Sequence, residues 1–207
     1  MEDSISVLER RVAARLRDLR AQRGLTLDEL AEQSGVSRSM ISLIERAESS
    51  PTARVLDKLA ASLGVTLASL FAEEERADAA PVLRRADQSA WCDPETGYIR
   101  RNLSPPSFPS PIELVEIVLP PGARVAYDSG FRVPVLEQQV WVLQGAIEVT
   151  VGQNVHRLGA GDCLAMQVDR PTAFRNQGPK AARYLVVHTT SAARSEPPGS
   201  TKRRNLK

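Results

Sequence analysis

Up to about residue 72, apolar residues recur every third or fourth position, the period of helices that bury one face. From Pro81 onward the period shortens towards two, in β-branched runs broken by Pro and Gly. The stretch between them, AEEERADAAP, carries charge and alanine but no apolar stripe, and predicts a linker or frayed helix. Five helices are predicted in the first half. Helix one runs from about Ser6 to Gln22, with Val12, Leu16 and Leu19 inward and Gly24 as its stop. Thr26-Leu-Asp-Glu29 has the form of a capping box and starts helix two, Leu27 to Gln33. Ser34-Gly35 breaks that helix, and Ser37 caps helix three, Arg38 to Glu45. Pro51-Thr52 opens helix four, with Val55, Leu56 and Leu59 inward, and Gly64 closes it. Thr66 starts a short fifth helix ending near Phe71. Two short helices joined by a tight Gly turn inside such a bundle form a helix-turn-helix.

In the second half, strands are predicted over Ile112–Leu119, Gln138–Leu143, Ala146–Val151, Val155–Leu158, Cys163–Met166, Thr172–Asn176 and Tyr184–His188. Many short strands separated by Gly and Pro turns point to a β-sandwich or small barrel. The predicted layout is helices at 8–72, a linker at 73–85, a β-domain at 86–190 and a basic, disordered tail at 191–207. The tail's KRR cluster reads as a solvated charge run.

Helix three has an unusual face. In VSRSMISLIER, Val36, Met40, Ile41 and Ile44 fall on one side, while Ser37, Arg38, Ser39, Ser42, Leu43 and Arg46 fall on the other. A surface helix ordinarily carries Glu and Lys there. This one has no acid until Glu45.

Composition narrows the function classes without choosing one. The chain has 207 residues, 42% hydrophobic and 25% charged, as ordinary globular domains do. No apolar run approaches the roughly 20 residues needed to span a bilayer. Met-Glu-Asp-Ser lacks a signal peptide's basic start, which gives a cytoplasmic expectation. Cys92 and Cys163 are single and far apart, so they read as buried structural thiols in a reducing compartment. The net charge of +2 implies no partner, although residues 10–71 hold ten Arg or Lys against seven Asp or Glu.

The ordered series LTLDELAEQSGVS, ISLIER and LDKLAASLGV resembles the XRE (Cro/phage-repressor-like) DNA-binding domain over about sixty residues. The resemblance implies that helix three enters the major groove, which explains its short, acid-free face. It places Arg38, Ser39 and Leu43 at base-reading positions, where Arg38 would fork onto guanine and Leu43 pack on a thymine methyl. Thr26, Ser37 and Arg46 match phosphate-holding positions. Arg20 and Glu45 match a structural ion pair. The chain departs from the relatives' R-G-K-x-x-P at Arg46-Ala47-Glu48-Ser49-Ser50-Pro51. Ala47 must then take a left-handed turn or the turn must differ, and Glu48 removes a phosphate contact.

EQQVWVLQGAIEVTVGQNVHRLGAGDCLAMQVDRPTAFRN resembles the cupin double-stranded β-helix, a jelly-roll-like barrel, and WCDPETGYIRR resembles the lead-in of regulators joining the two domains. Cupins are often metalloenzymes. Aligned on Gly145, however, the family's metal positions fall on Arg132 and Pro134 (or Phe131 and Val133), Gln138 and Thr172, none of them histidine. His156 and His188 do not align. Three imidazoles are missing, so no metal, cofactor or catalytic residue is assigned. Arg132, Gln138 and Thr172 become candidate effector-binding residues instead. The expected function is a sequence-specific transcription regulator, a homodimer on a palindromic operator in double-stranded DNA, whose cupin domain binds a small-molecule effector. The alternative is a constitutive DNA-binding regulator whose cupin domain only dimerises; a metal-dependent enzyme ranks below both.

Overall fold

A computed structural model of the chain describes residues 2–65, 67–71, 79–127 and 136–189. The helices are α1 (Glu2–Gln22), α2 (Leu27–Ser34), α3 (Arg38–Glu45), α4 (Ala53–Ser62) and α5 (Leu67–Phe71). Four of them have eight residues or more, and α5 is little more than one turn of five residues. The first helix begins four residues before the Ser6 expected from periodicity. Thr66, the 72–78 portion of the linker and the tail from 190 lie outside the described residues.

Local chemistry sets the helix ends. Thr26, Ser37 and Thr52 each cap a helix with a side-chain oxygen on the third amide, and Gly35 turns left-handed at φ 64° to end α2. Ser34 Oγ donates to Leu30 O at 2.7 Å and accepts from Val36 N at 3.2 Å, fixing the turn from inside. The buried stripes Val12, Leu16 and Leu19, Leu30, Ile41 and Ile44, and Leu56 and Leu59 meet in one core.

Ten strands follow: β1 (Ala90–Cys92), β2 (Ile99–Asn102), β3 (Ile112–Leu119), β4 (Arg124–Tyr127), β5 (Leu136–Gln144), β6 (Ala146–Val151), β7 (Asn154–Gly159), β8 (Cys163–Val168), β9 (Thr172–Arg175) and β10 (Ala182–Thr189). The short strands β1, β2 and β4 escaped the periodicity reading. They do not form the closed barrel that the cupin resemblance implies. Instead there are two antiparallel sheets, β1-β2-β3-β10-β5-β8 and β4-β9-β6-β7, with β7 and β8 left as unjoined edges. The connection between those two strands explains the gap. Asp162 N donates to Gly159 O (3.0 Å), Gly161 N to Val142 O (2.9 Å) and Val142 N to Asp162 O (3.0 Å). The corner is thus anchored on β5, which pulls β8 into the first sheet. The inner faces meet across a stacked pair, Phe174 and Tyr184, with centroids 5.7 Å apart.

Alternation sorts the side chains of β5. Val140 and Val142 are fully buried, while Trp141 is 46% exposed. Cys163, expected in the core, falls in the outward set and is exposed; Cys92 is half-buried, and both are free thiols.

Helices and sheets share a core. Phe71 of α5 packs on Trp91 of β1 at 5.7 Å, and Trp91 meets Tyr98 edge-on at the same distance. Asp93, after β1, accepts from Ala53 N at the start of α4 (3.0 Å), where helix amides favour a carboxylate.

Candidate nucleic-acid interface and β-domain cavity

The helix-turn-helix face rests on its caps. Thr26 Oγ1 accepts from Glu29 N at 3.2 Å, and the Glu29 carboxylate accepts from Thr26 N at 2.7 Å. The Thr26 N–H foremost, and then the Thr26 hydroxyl, which donates to the same carboxylate at 2.8 Å, hold Glu29 below the usual carboxylate range. Ser37 Oγ accepts from Met40 N and lies 3.2 Å from Ser39 Oγ. Around them, Thr26, Ser37, Arg38, Ser39 and Arg46 are exposed, and Leu43 is half-buried on the same side.

Both arginines carry local partners. Arg38 Nε lies 3.1 Å from Asp28 Oδ1, with both side chains more than half exposed. Arg46 forks onto Glu48 at 2.8 and 2.9 Å and also bonds Ser42 Oγ. Solvent-exposed pairs are weak and screened by salt, so phosphate can exchange for either carboxylate. Ala47 adopts φ 54°, a left-handed conformation that glycine takes cheaply.

Under this surface Arg20 forks onto Glu45, Nε to Oε1 at 2.7 Å and Nη2 to Oε2 at 2.8 Å, and its Nη1 donates to Leu25 O at 2.8 Å. Glu45 is only 7% exposed. The last acid of α3 therefore faces inward and ties the end of α3 to the end of α1. The outer face of the helix is left without negative charge of its own.

In the β-domain, Arg132 lies outside the described residues. Gln138 and Thr172 sit on different sheets, and each belongs to its sheet's inner row. Gln138 is opposite His188 and Met166. Thr172 is opposite Val151 and donates to Arg170 O at 3.1 Å. A cavity of about 230 Å³ opens where β7 and β8 fail to join, lined by Val151, Asn154, His156, Leu164, Met166 and Arg170 among others. Gln138 and Thr172 flank it through their cross-strand neighbours and do not line it.

The interior also holds a polar cluster that sequence reasoning missed. His188 Nε2 donates to Glu113 Oε2 at 3.0 Å, and Arg100 Nη2 lies 3.3 Å from Glu113 Oε1. Burial alone would raise Glu113, but the His188 hydrogen bond and the Arg100 charge outweigh it and leave the carboxyl below its ordinary value. The Arg100 guanidinium stacks over Phe71 at 5.1 Å, connecting the cluster to α5. Tyr127 O–H donates to Tyr98 at 3.3 Å, and burial pushes Tyr98, Tyr127 and Tyr184 upward, so these phenols stay neutral. Among the described residues, no group of three or more His, Cys, Asp or Glu is placed to hold a metal ion.

With this geometry in view, known proteins give a consistent match. A helix-turn-helix family model matches residues 16–70 and a cupin domain model matches residues 116–188. The chain is 27% identical over 176 residues to the HTH-type transcriptional regulator PuuR of Escherichia coli (strain K12), covering 84% of this chain and 92% of that one. It is 29% identical over 182 residues to the HTH-type transcriptional regulator SutR of the same strain, covering 87% and 96%. A crystal structure of an HTH_3 family transcriptional regulator from Vibrio cholerae superposes with a TM-score of 0.67 at 26% identity, covering 90% of this chain and 98% of that one. The chain is an XRE-type helix-turn-helix protein with a C-terminal cupin domain.

In this cupin domain, His188 does not align with the family's ligand positions. Its role is structural: it closes the Glu113–Arg100 cluster at the inner face of β10. A signal was available in the sequence, since Glu113 and His188 each interrupt an alternate row that is otherwise uncharged and mainly apolar: Val115, Ile117 and Leu119 on β3, and Ala182, Tyr184 and Val186 on β10. Only pairing shows that they oppose each other in register.

Proposed function

We propose that the protein is a sequence-specific transcription regulator that reads DNA with α3. The observation that carries this reading is the charge arrangement of that helix. Its outer face presents Arg38, Ser39, Ser42 and Arg46, and its one acid is buried against Arg20. Arg38 and Ser39 are the base readers, Leu43 packs on a thymine methyl, and Thr26, Ser37 and Arg46 hold phosphates. One such module makes few base contacts, so a homodimer on a palindromic operator is the working form. The likeness to PuuR and SutR, both HTH-type transcriptional regulators, supports this reading.

The cupin domain is an effector-binding domain in this account, with no catalytic role. The opening between β7 and β8 is small, which limits the effector to a small metabolite, contacted by His156 and Arg170 with Gln138 and Thr172 behind the lining. The Arg100–Phe71 and Asp93–Ala53 contacts would carry its influence to the helices. A second reading, in which the cupin domain only dimerises, is favoured by the side-chain-filled interior around the Phe174–Tyr184 stack.

Selection of bound fragments from random duplexes, followed by footprinting, tests the DNA reading. A two-fold symmetric protected site supports it. Recovery of no preferred sequence at physiological salt would remove it. A thermal-shift screen of small metabolites separates the two cupin readings, because a ligand that binds only the native state raises the melting temperature. Elemental analysis of protein purified without chelator checks the metal-free account; a stoichiometric transition metal would revive the enzyme.

A further inference from the structure

The outer face of the six-stranded sheet is more apolar than a solvent-facing surface calls for. Its outward rows place Trp141 of β5 opposite Leu185 of β10, with Leu143 next along β5, Val187 next along β10 and opposite Leu114 of β3, and Ile112 at the end of β3. Trp141 and Ile112 are each 46% exposed and Leu143 is 36% exposed. The chain has two tryptophans, and the other, Trp91, is buried to 1%. An exposed tryptophan in an apolar sheet face is the usual composition of an interface core.

The same face contains a receptor for such a side chain. A groove of about 480 Å³ lies alongside, lined on the outer face by Ile112, Gln139, Ala165 and Val187 and reaching round the strand ends to Gln138, Met166 and His188 of the inner row. It begins one outward position from Trp141 along β5, roughly 7 Å away at strand spacing. A projecting aromatic beside a groove on one flat face is the arrangement a two-fold axis makes self-complementary, because each copy offers both halves. Charge follows the same symmetry. Exposed Glu137 lies at the groove end of β5, and at the other end Arg183, opposite Gln144, is paired with Glu116 of β3 and still 43% exposed, so it can share a second carboxylate. A two-fold axis between Trp141 and the groove exchanges those ends and brings Glu137 of each copy towards Arg183 of the other.

We infer that this face is the self-association surface of the protein, with Trp141 of each copy seated in the Ile112–Gln139–Ala165–Val187 groove of a second copy. The inference rests on the dimer reading proposed above and supplies its surface. It also leaves α3 unobstructed, since no helix residue takes part.

The test uses the full chain without DNA, so its failure and the failure of DNA recognition are separable. Sedimentation and light scattering of the parent at micromolar concentration should give a dimer. Trp141→Asp should weaken self-association at least about 30-fold, the scale of a central hot spot, with an unchanged far-UV spectrum. Ala165→Arg, which fills the groove from an exposed edge strand, should do the same. Val155→Asp, at an exposed apolar site on the other sheet, should leave the dimer intact. Trp141 is its own reporter: diluting the parent through dissociation should red-shift the emission and open it to acrylamide, while Trp91 stays buried. A parent that is monomeric at micromolar concentration overturns the dimer reading and this surface with it. A parent dimer that survives both Trp141→Asp and Ala165→Arg overturns the surface alone. A Trp141 already quencher-protected in a monomer, and exposed on deletion of residues 191–207, would show that the chain's own tail occupies the groove and would also overturn the proposal.

Discussion

At the residue scale, the same charge type does opposite work on the two sides of α3. Arg20 and Glu45 are partly or wholly buried, so their fork is a structural clamp. Arg38 and Arg46 sit in water beside Asp28 and Glu48, where a carboxylate is easily exchanged for a phosphate or base edge. Arg38→Ala should cost about 1–3 kcal/mol at one base pair and relax the preference there, read by competition binding with single-position operator variants. Arg46→Ala should weaken all sequences alike and reduce the salt slope by about one. Glu48→Ala should move the other way and tighten binding to every sequence, since the carboxylate no longer competes for Arg46. In the interior, Glu113 sits below its ordinary value of 4.5 in the folded chain. A depressed carboxylate contributes stability that is present above its unfolded value and lost as pH falls through its folded value. Acid titration of the parent should show that loss at and below pH 4.5, and Glu113→Gln should abolish it. The variant should also be about 3 kcal/mol less stable at neutral pH, because the buried Arg100 charge loses its carboxylate.

At the scale of elements, the turn after α3 is built with the less suitable residue. Ala47 N donates to Ile44 O and Glu48 N to Leu43 O, both at 2.9 Å, and these bonds hold Ala47 at φ 54°. An alanine side chain is strained there, and glycine is not. Ala47→Gly should stabilise the protein by about 1 kcal/mol, raising the melting temperature by roughly 2–4 °C in calorimetry. No gain would mean that the turn relaxes in solution. Helix termini were legible in the sequence because caps act over three or four residues: Thr26 with Glu29, Ser37 with Met40, Thr52 with Val55. The strands β1, β2 and β4 were not, because three or four residues are too few to display a period of two. Their positions come from partners far along the chain, β2 on β3 and β4 on β9.

At the scale of the molecule, the two compositions do not make two independent bodies. Phe71 closes the helical core by packing on Trp91, and Arg100 covers the same ring from β2. A composition shift near residue 72 suggests a free linker, yet the described chain on either side of it is packed together. Trp91→Ala should therefore cost about 3–5 kcal/mol and lower the stability of helices and sheets in a single calorimetric transition. Two separated transitions in the parent would show that the shared core is not cooperative. If the transition is single, a ligand in the cupin domain has a physical route to α3 through α5 and α4.

The sequence by itself determined the local features: the four longer helices with their caps, the helix-turn-helix, the alternation that buries Val140 and Val142, and the acid-free face of α3. Each depends on residues close together along the chain. Tertiary structure decided what depends on distant pairs. Nothing near Gly159–Asp162 announces that the corner bonds to Val142 and leaves the sheets open between β7 and β8. Nothing near Glu113 announces that His188 lies opposite, or that Arg100 bridges to Phe71. The outward row of Trp141 was implicit in the alternation, but that Ile112, Val187 and Ala165 flank a groove beside it follows only from the strand order β3-β10-β5-β8. Hydrophobic patterning fixes which side of a strand is buried; pairing register and sheet order, set by contacts across the whole chain, fix which residues become neighbours.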